Sequence, residues 1–329
     1  MTSADETAAF ETLRDFLRYA VSRFNAAGIA YGHGTNNALD EAAFLLLEAL
    51  HLPIDRLDPF LDARLTEAER QRLRELIDAR IATRKPAAYL LGRAYMHGVP
   101  FRVDERVIVP RSFIGEIMLG DTGHALFDAR EVRTVLDLCT GSGCLAILAA
   151  RTLPRASIHA ADLSKAALEV ARRNVNESGH ANRIALFEGD LFSPLGERRY
   201  DLILANPPYV STAAMAALPP EYRHEPSLAL AGGSDGLDVV RRILREAPAH
   251  LTERGGLVCE IGTGRALLEA EFGGLPFTWL ETETSAGEVF WLGARDFAPT
   301  RPVSPLPRVR RRGAAPARRT RKRTPTRRR

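Results

Sequence analysis

The sequence predicts an α/β protein in which a doubly wound, mostly parallel sheet of seven strands follows a small helical domain. Three observations support this prediction. Before residue 87 the apolar residues recur at helical spacing, whereas after Arg133 short apolar runs alternate with helical patterns. The last two apolar runs have no helical pattern between them, which favours an antiparallel hairpin at one edge of the sheet.

The predicted helical domain covers residues 1–86. Apolar residues at helical spacing predict a first helix over 10–24 and a second over 38–50. Thr66 and Glu69 have the spacing of a capping box, which predicts the start of a third helix. Because this domain contains no evident catalytic cluster, it either serves packing alone or provides a docking surface for a macromolecular substrate.

The sequence pattern changes at residues 87–111, where short strand-like runs predict a β-hairpin linker between the two domains. Its strand-like runs lie at 95–97, 99–103 and 106–109. Pro110 and Arg111 end the linker and place a cation between the two domains. Arg111 can therefore either contact a substrate or form an interdomain salt bridge.

The second domain is predicted to cover residues 112–297. Its pattern begins with a strand and then alternates strands with helices, which is typical of a parallel sheet covered by helices on both faces. The predicted strands are 134–138, 157–162, 184–188, 202–205, 256–261, 277–281 and 289–293. The predicted helices are 143–153, a helix capped by Ser164 that runs to 177, and 237–250.

The composition describes an acidic body with a basic tail. The chain has 45 basic and 41 acidic residues, but 13 of the basic residues and none of the acidic ones lie in 297–329. The body therefore has 32 basic against 41 acidic residues, which gives no support for a DNA-binding surface. Residues 298–329 contain few large apolar side chains, so they are predicted to be a disordered basic tail.

The chain is expected to be cytoplasmic and to have no membrane partner. No stretch approaches the roughly 20 apolar residues that a membrane span needs, and the N-terminus lacks a signal-peptide pattern. The three cysteines are sparse and odd in number, which favours a reducing compartment. The histidines show no spacing typical of metal ligands, so no metal site is expected.

A glycine-rich turn follows the first predicted strand of the sheet. Open α/β sheets bind ligands at the carboxyl ends of their strands, and glycines there let the backbone approach a ligand closely. Asp137 precedes the turn, where its carboxylate either suits a cationic ligand or caps the loop. The candidate ligand-binding residues of this turn are Asp137, Cys139, Thr140, Gly141, Ser142 and Gly143.

The next two strands also end in carboxylates. Asp162, followed by Leu163, is placed to accept both hydroxyls of a ribose. Asp190 is placed to meet an adenine edge, with Leu191 and Phe192 beside the ring. Because no Lys or Arg near the turn would neutralise phosphates, these residues favour a sulfonium cofactor over a dinucleotide.

The fourth predicted strand ends at Asn206, Pro207, Pro208 and Tyr209. Neither proline can donate to a sheet ladder, and Pro208 keeps Pro207 extended, so their carbonyls project outward. The Asn206 side-chain oxygen and the Pro207 carbonyl can then accept both hydrogens of a planar –NH2 group, with Tyr209 stacked on its plane. This arrangement suits chemistry on an amide or exocyclic amine nitrogen.

Together, these motifs resemble class I S-adenosylmethionine-dependent methyltransferases that act on amide or amine nitrogen. Residues 225–230 and 232–237 narrow the resemblance to the protein-(glutamine-N5) methyltransferases of the HemK type, and Val109 to Ser112 match the signature that precedes their catalytic domain. This resemblance covers about residues 10–295. It implies S-adenosylmethionine as cofactor, bound in part by Asn206, and a glutamine held by Asn206, Pro207, Pro208 and Tyr209, with Arg111 and Glu225 nearby.

Within that family, 12–19, 101–107 and 110–116 are similar to the branch that methylates a glutamine of the third protein of the large ribosomal subunit. Arg111-Ser112 replaces the Arg-Pro of the branch that acts on release factors, and Leu191 replaces its Trp. The implied partner is therefore a large-subunit ribosomal protein. The basic tail, which is not part of the family pattern, could also contact ribosomal RNA without sequence specificity.

Three alternative functions remain open at this stage. The first is methylation of release factors, and the second is adenine-N6 methylation of nucleic acid, which would use the same Asn-Pro-Pro-Tyr chemistry. The acidic body and the absence of a separate target-recognition domain disfavour the second alternative. The third is a non-catalytic ribosome-assembly factor that binds the cofactor as a sensor, which the intact motif disfavours.

Overall fold

The computed structural model describes residues 9–282 and 285–298, which belong to one compact unit. The predicted tail therefore lies outside the described residues, apart from Ala298. No helix in the described ranges combines the length and the apolar composition that crossing a bilayer would require.

The N-terminal region is helical, as predicted. It contains α1 (Leu13–Ala26), α2 (Ala38–Ala49), α3 (Glu67–Thr83), the short α4 (Ala87–Leu91) and a 3₁₀ turn at Asp58–Phe60. The predicted capping box of Thr66 and Glu69 is present at the start of α3. A second box formed by Thr12 and Asp15 starts α1 three residues later than predicted.

Two strands of the linker form the predicted hairpin, but its third run is not a strand. β1 (Arg93–Met96) pairs antiparallel with β2 (Val99–Arg102). His97 and Gly98 join them with positive φ angles of 50° and 75°, as a two-residue hairpin turn requires. The run 106–109 forms no strand because the Val109 N–H donates to the Glu225 carboxylate instead of to a neighbouring strand.

The second region contains the predicted seven-stranded sheet. Its strands are β3 (Thr134–Leu138), β4 (Ser157–Asp162), β5 (Ile184–Glu188), β6 (Tyr200–Ala205), β7 (Leu251–Glu260), β8 (Thr278–Glu281) and β9 (Ala286–Gly293). They lie in the order β5-β4-β3-β6-β7-β9-β8. β3 to β7 run parallel, and β9 pairs antiparallel with both β7 and β8, so the predicted edge hairpin is confirmed.

Helices cover both faces of this sheet. Three correspond to predicted helices: α7 (Cys144–Thr152), α8 (Lys165–Glu177), which Ser164 caps, and α10 (Asp238–His250). Four short helices were not predicted: α5 (Phe113–Leu119), α6 (Asp121–Leu126), α9 (Thr212–Ala217) and α11 (Arg265–Glu271). Each spans only one or two turns, too few for a helical pattern to stand out in the sequence.

The strands alternate their side chains between two apolar clusters. Leu202 and Leu204 of β6 belong to the cluster that includes α5 and α7, whereas Ile203 belongs to the cluster that includes α10. The strand order reverses between β3 and β6, which carry the glycine-rich turn and Asn206 at their carboxyl ends. This is the position at which open α/β sheets form a ligand crevice.

Candidate active site

A cavity that is open to solvent lies at the carboxyl ends of β3 to β6. Eight of the predicted site residues line it: Cys139, Gly141, Asp162, Leu163, Asp190, Leu191, Asn206 and Pro208. We call this space the cofactor cavity.

The backbone of the glycine-rich turn is shaped for close approach to a ligand. Gly141 has a φ of +53°, and a Cβ added there would lie in open space. Cys139 and Leu191 also have positive φ angles, 56° and 48°, although neither is glycine. Residues in this sparsely populated region concentrate at functional sites, and both of these line the cofactor cavity.

Asp137 braces the turn from behind the cavity wall. Its side chain is fully buried, and Oδ2 accepts hydrogen bonds from Thr140 Oγ1 at 2.5 Å and from the Ala146 N–H at 3.0 Å. Burial raises the pKa of Asp137 to about 7. Thr140, Ser142 and Gly143 also lie outside the cavity wall. Direct cofactor contact by these four residues therefore stays a prediction. Oδ2 of Asp137 caps the loop, whereas its buried Oδ1 accepts no hydrogen bond from the described residues.

Asp162 connects the turn to the start of α8. Its Oδ2 accepts from the Gly141 N–H and its Oδ1 from the Ser164 N–H, both at 2.8 Å. Each carboxylate oxygen can accept a second hydrogen bond, so both remain able to bind a hydroxyl group. Burial raises the pKa of Asp162 from its usual value.

Two arginines line the cofactor cavity, which makes the sequence-based expectation of no nearby cation wrong. Arg106 comes from the linker and Arg242 from α10, both distant in sequence from the turn. Both are ion-paired: Arg106 with Asp104 and Glu169, and Arg242 with Asp190 at 2.8 Å. Their charges are therefore compensated within the protein.

The predicted aromatic neighbour of the adenine is elsewhere. Phe192 is buried and stacks on His250, with ring centroids 4.6 Å apart, and it is outside the cavity wall. Leu191, adjacent in sequence, provides an apolar surface in the wall instead.

A second cavity adjoins the first at Asn206, and we call it the substrate cavity. It is lined by Ile108, Arg111, Asn206, Pro207, Tyr209, Val210, Leu218, Tyr222, Ala229 and Leu230. Ile108, Asn206 and Ala229 belong to the walls of both cavities. The Asn206 Nδ2 donates to the Arg111 carbonyl oxygen at 3.4 Å. Asn206 is therefore a polar side chain at the junction of two cavities.

Tyr209 is held at its hydroxyl and along one edge of its ring. Its hydroxyl donates to Oε1 of Glu260 at 2.9 Å, while the same carboxylate accepts from Ser112 Oγ and from the Phe113 N–H through Oε2. A Cβ added at Gly262 would approach the Tyr209 ring to 2.9 Å, so only glycine leaves the ring its space.

Sequence reasoning missed Glu260, although a signal was present. It is a carboxylate at the end of the apolar strand β7, and a buried charge requires hydrogen-bond partners. Burial raises its pKa from the usual value.

The segment 225–237, which carries part of the family resemblance, packs against the Asn-Pro-Pro-Tyr backbone. Val210 exchanges hydrogen bonds with it, donating to the Leu230 carbonyl at 2.8 Å and accepting from the Gly232 N–H at 2.9 Å. A Cβ at Gly232 would come within 2.7 Å of the Tyr209 Cα, and one at Gly236 within 2.4 Å of its carbonyl oxygen. The glycines thus permit the close backbone contact that fixes the motif.

Glu225, predicted near the substrate, does not line either cavity. Its side chain is fully buried and forms a bidentate ion pair with Arg111, at 2.5 and 2.6 Å. Glu221, in the same segment, is also buried. Arg111 forms this salt bridge and also lines the substrate cavity, so its contact with a substrate stays a prediction.

His33 of the helical region approaches the same carboxylate. Its Nε2 lies 3.7 Å from Glu225 Oε2, and its ring packs on Tyr222 with centroids 4.3 Å apart. Burial lowers the pKa of His33 to about 4, so the ring is neutral at neutral pH. The carboxylate therefore has Arg111 as its cationic partner.

Two family models match parts of the chain, and one solved structure of similar fold can be compared with it. The PrmC N-terminal domain model matches residues 15–92, and the methyltransferase small domain model matches residues 124–218. The crystal structure of a methyltransferase from Pyrococcus furiosus is similar over 66% of this chain and 97% of that chain, with 19% identity and a TM-score of 0.46.

Curated relatives cover most of the chain. The ribosomal protein uL3 glutamine methyltransferase of Bradyrhizobium diazoefficiens is 59% identical, over 87% of this chain and 91% of the relative. The proteins of the same name from Burkholderia pseudomallei and Bordetella pertussis are 54% and 55% identical, over 87% and 86% of this chain and 96% and 95% of the relatives. The resemblance inferred from the sequence is confirmed, and the chain belongs to the ribosomal protein uL3 glutamine methyltransferase family.

Proposed function

We propose that this protein transfers a methyl group from S-adenosylmethionine to the side-chain amide nitrogen (N5) of a glutamine in ribosomal protein uL3. The names of the relatives indicate the substrate, and the mechanism is inferred from the position of Asn206. A single polar side chain that lines both cavities can contact the reacting ends of cofactor and substrate.

The cofactor cavity fits S-adenosylmethionine. Asp162 has acceptor capacity for the ribose hydroxyls, Gly141 leaves open space beside the turn, and Leu163, Leu191 and Pro208 supply apolar surface. When bound, this cofactor supplies an electrophilic methyl group on a sulfonium.

The residues of the substrate cavity can compensate for the low reactivity of an amide nitrogen. An amide nitrogen is a poor nucleophile because its lone pair is delocalised into the carbonyl group. Because Asn206 Nδ2 faces the Arg111 carbonyl, the amide oxygen is the atom left to accept an N–H of the substrate. The Pro207 carbonyl accepts the second N–H, and together they aim the nitrogen; positioning of this kind contributes roughly 7–11 kcal/mol in favourable cases.

Tyr209 completes the proposed site. Its ring, fixed by Glu260 and Gly262, packs on the plane of the glutamine amide and excludes water. Oxygens of Asn206 and Pro207 near the nitrogen also stabilise the positive charge that develops there. The methylated nitrogen would then release one N–H proton to solvent, which restores a neutral amide. No covalent intermediate with the protein is required.

The cell compartment and the tail belong to this proposal as well. A uL3 substrate places the reaction in the cytoplasm, where ribosomal proteins are made. The basic residues after 298 would favour encounter with ribosomal particles through non-specific RNA contacts.

The experiment is methyl transfer from labelled S-adenosylmethionine to purified uL3, release factor and duplex DNA in parallel reactions. The expected product is uL3 with the mass of one added methyl group, located on one glutamine by peptide mass spectrometry. Transfer to release factor alone would assign the chain to the other branch of the family. Transfer to DNA adenine would replace the proposal with nucleic-acid methylation.

A further inference from the structure

Arg111 and Glu225 join two segments that are far apart in the sequence and meet beside Asn206. The Arg111 guanidinium donates from Nη1 to Oε1 at 2.5 Å and from Nη2 to Oε2 at 2.6 Å. The Glu225 side chain is fully buried, whereas that of Arg111 is 28% exposed. A bidentate pair of this kind fixes geometry as well as neutralising charge.

The same carboxylate also holds the backbone on which Arg111 sits. Oε1 of Glu225 accepts the Val109 N–H at 3.0 Å, and Arg111 Nη1 donates to the Val109 carbonyl at 3.2 Å. Residues 109–111 are therefore tied to Glu225 by main chain and by side chain. The segment contains Pro110 and belongs to no strand. These contacts therefore hold its backbone in place of the hydrogen bonds that a neighbouring strand would provide.

The carbonyl of Arg111 is the acceptor for Asn206 Nδ2. A primary amide can turn by half a rotation and exchange its oxygen with its nitrogen, unless a neighbour distinguishes the two. A carbonyl accepts only from the –NH2 end, so its position decides which way the amide oxygen points.

We propose that Glu225 and Arg111 are positioning residues that orient the Asn206 amide for catalysis. This inference rests on the proposed role of Asn206 in methyl transfer. Loss of the pair would let residues 109–111 shift and the Asn206 amide turn. It would lower turnover, whereas the strand-end residues of the cofactor cavity would keep their positions.

Glu221 provides a matched control within the same segment. It is also a buried glutamate with an arginine partner, accepting from the Ala30 N–H at 3.0 Å and from Arg84 Nη1 at 3.2 Å. These contacts lead to the helical region, and no described hydrogen bond joins Glu221 to residues 109–111. If the enzyme needed its buried ion pairs only for stability, substitution of Glu221 and of Glu225 would lower turnover equally. If Glu225 orients the Asn206 amide, only the substitution of Glu225 lowers turnover strongly.

The test compares Glu225→Gln with Glu221→Gln in the full chain, measuring kcat with uL3, the Kd of S-adenosylmethionine by calorimetry, and the melting temperature. We expect Glu225→Gln to lower kcat by about tenfold or more, with the cofactor Kd changed by less than about twofold. Glu221→Gln should lower the melting temperature and keep kcat within about twofold of the parent. Equal loss of kcat in both variants, or a normal kcat in Glu225→Gln, would overturn the proposal.

Arg111→Lys gives a second route if Glu225→Gln does not fold. Lysine keeps the charge but cannot engage both carboxylate oxygens, so kcat should again fall while cofactor binding persists. In the Asn206→Ala background, Glu225→Gln should have no further effect on single-turnover rate, because the group it orients is gone. A full additional loss there would show that Glu225 acts by another route.

The result for Asn206→Ala alone separates the two proposals. Near-normal turnover in that variant would refute the proposed function of Asn206 and the positioning role with it. Loss of turnover in Asn206→Ala together with a normal Glu225→Gln would refute the positioning role only.

Discussion

The two cavities that meet at Asn206 are built in different ways. The cofactor cavity takes about half of its wall from residues at or just after the carboxyl ends of β3, β4, β5 and β6, and the rest from the linker, two helices and residues 226–231. The substrate cavity takes its wall from the linker, the Asn-Pro-Pro-Tyr motif and the irregular segment 218–230, with no strand-end residue outside the motif. In the first, the strand ends position the predicted side chains.

In the second cavity, positions depend on buried carboxylates that join distant segments. Glu225 is bonded to Val109 and Arg111, and Glu260 is bonded to Ser112 and Tyr209. Cofactor binding should therefore respond to changes at strand ends, whereas turnover should respond to changes in these long-range hydrogen bonds and ion pairs.

The largest effect is expected for Asn206→Ala. Removing the acceptor at the cavity junction should lower kcat by about 100-fold or more, the scale of losing one preorganised polar group. Asn206 also lines the cofactor cavity, but Ala leaves its apolar surface and Asp162 in place, so the cofactor Kd should change little. Calorimetry and single-turnover rates measure the two quantities separately. A large loss of cofactor affinity would contradict the division between the cavities.

Asp162→Ala should produce the opposite pattern. It removes the acceptor for two backbone N–H groups and for the cofactor ribose, so the cofactor Kd should rise by about 10–100-fold. Asp201→Ala is the matched control, since Asp201 also accepts from two backbone N–H groups, of Arg133 and Thr134, but at the opposite end of the sheet. If both variants bind the cofactor equally, Asp162 has no direct part in binding.

A smaller effect is expected for Tyr209→Phe. Loss of the hydroxyl leaves Oε1 of the buried Glu260 without its donor, which should cost about 1–3 kcal/mol of unfolding free energy. Turnover should fall by less than about tenfold, because the ring that packs on the amide remains. Tyr200→Phe, which removes a hydroxyl paired with His159, should lose stability without losing turnover. Equal kcat values for both variants would show that positioning of Tyr209 through its hydroxyl has no part in turnover.

Asp137→Asn should have the smallest effect on activity, but its effect on stability should depend on pH. Burial raises the pKa of Asp137 from 3.8 to about 7, so the native state holds a proton that the unfolded chain releases more readily. Ionisation therefore destabilises the native state increasingly as pH rises between these two values. Asn stays neutral, so its melting temperature relative to the parent should increase from about pH 5 to about pH 8. A pH-independent difference, or a large change in cofactor Kd, would contradict the loop-bracing role.

The same contrast explains what the sequence could predict. β3, β4 and β5 match their predicted bounds, and Asp162 and Asp190 lie in the cavity, because each carboxylate is adjacent in sequence to the strand that positions it. Arg106 and Arg242 could not be placed near the turn, since they reach it only through the linker and α10.

The substrate cavity was predicted at its Asn-Pro-Pro-Tyr motif and at Arg111. Asn206, Pro207 and Tyr209 line it, but the contributions of Ile108, Leu218 and Tyr222 depend on how irregular segments fold back. Such contacts have no periodic signal in the sequence. The third strand, predicted at 106–109, does not form for a related reason. The Val109 N–H donates to Glu225, which is distant in sequence, instead of to a neighbouring strand.

The decisive measurement is a structure of the protein with S-adenosylhomocysteine and a glutamine-containing uL3 peptide. We expect the glutamine amide nitrogen to lie in the substrate cavity at hydrogen-bonding distance, about 2.7–3.2 Å, from Asn206 Oδ1, with the cofactor sulfur on the side of the nitrogen that faces the cofactor cavity. An Asn206 oxygen that faces away from the glutamine, or a glutamine bound elsewhere, would contradict it.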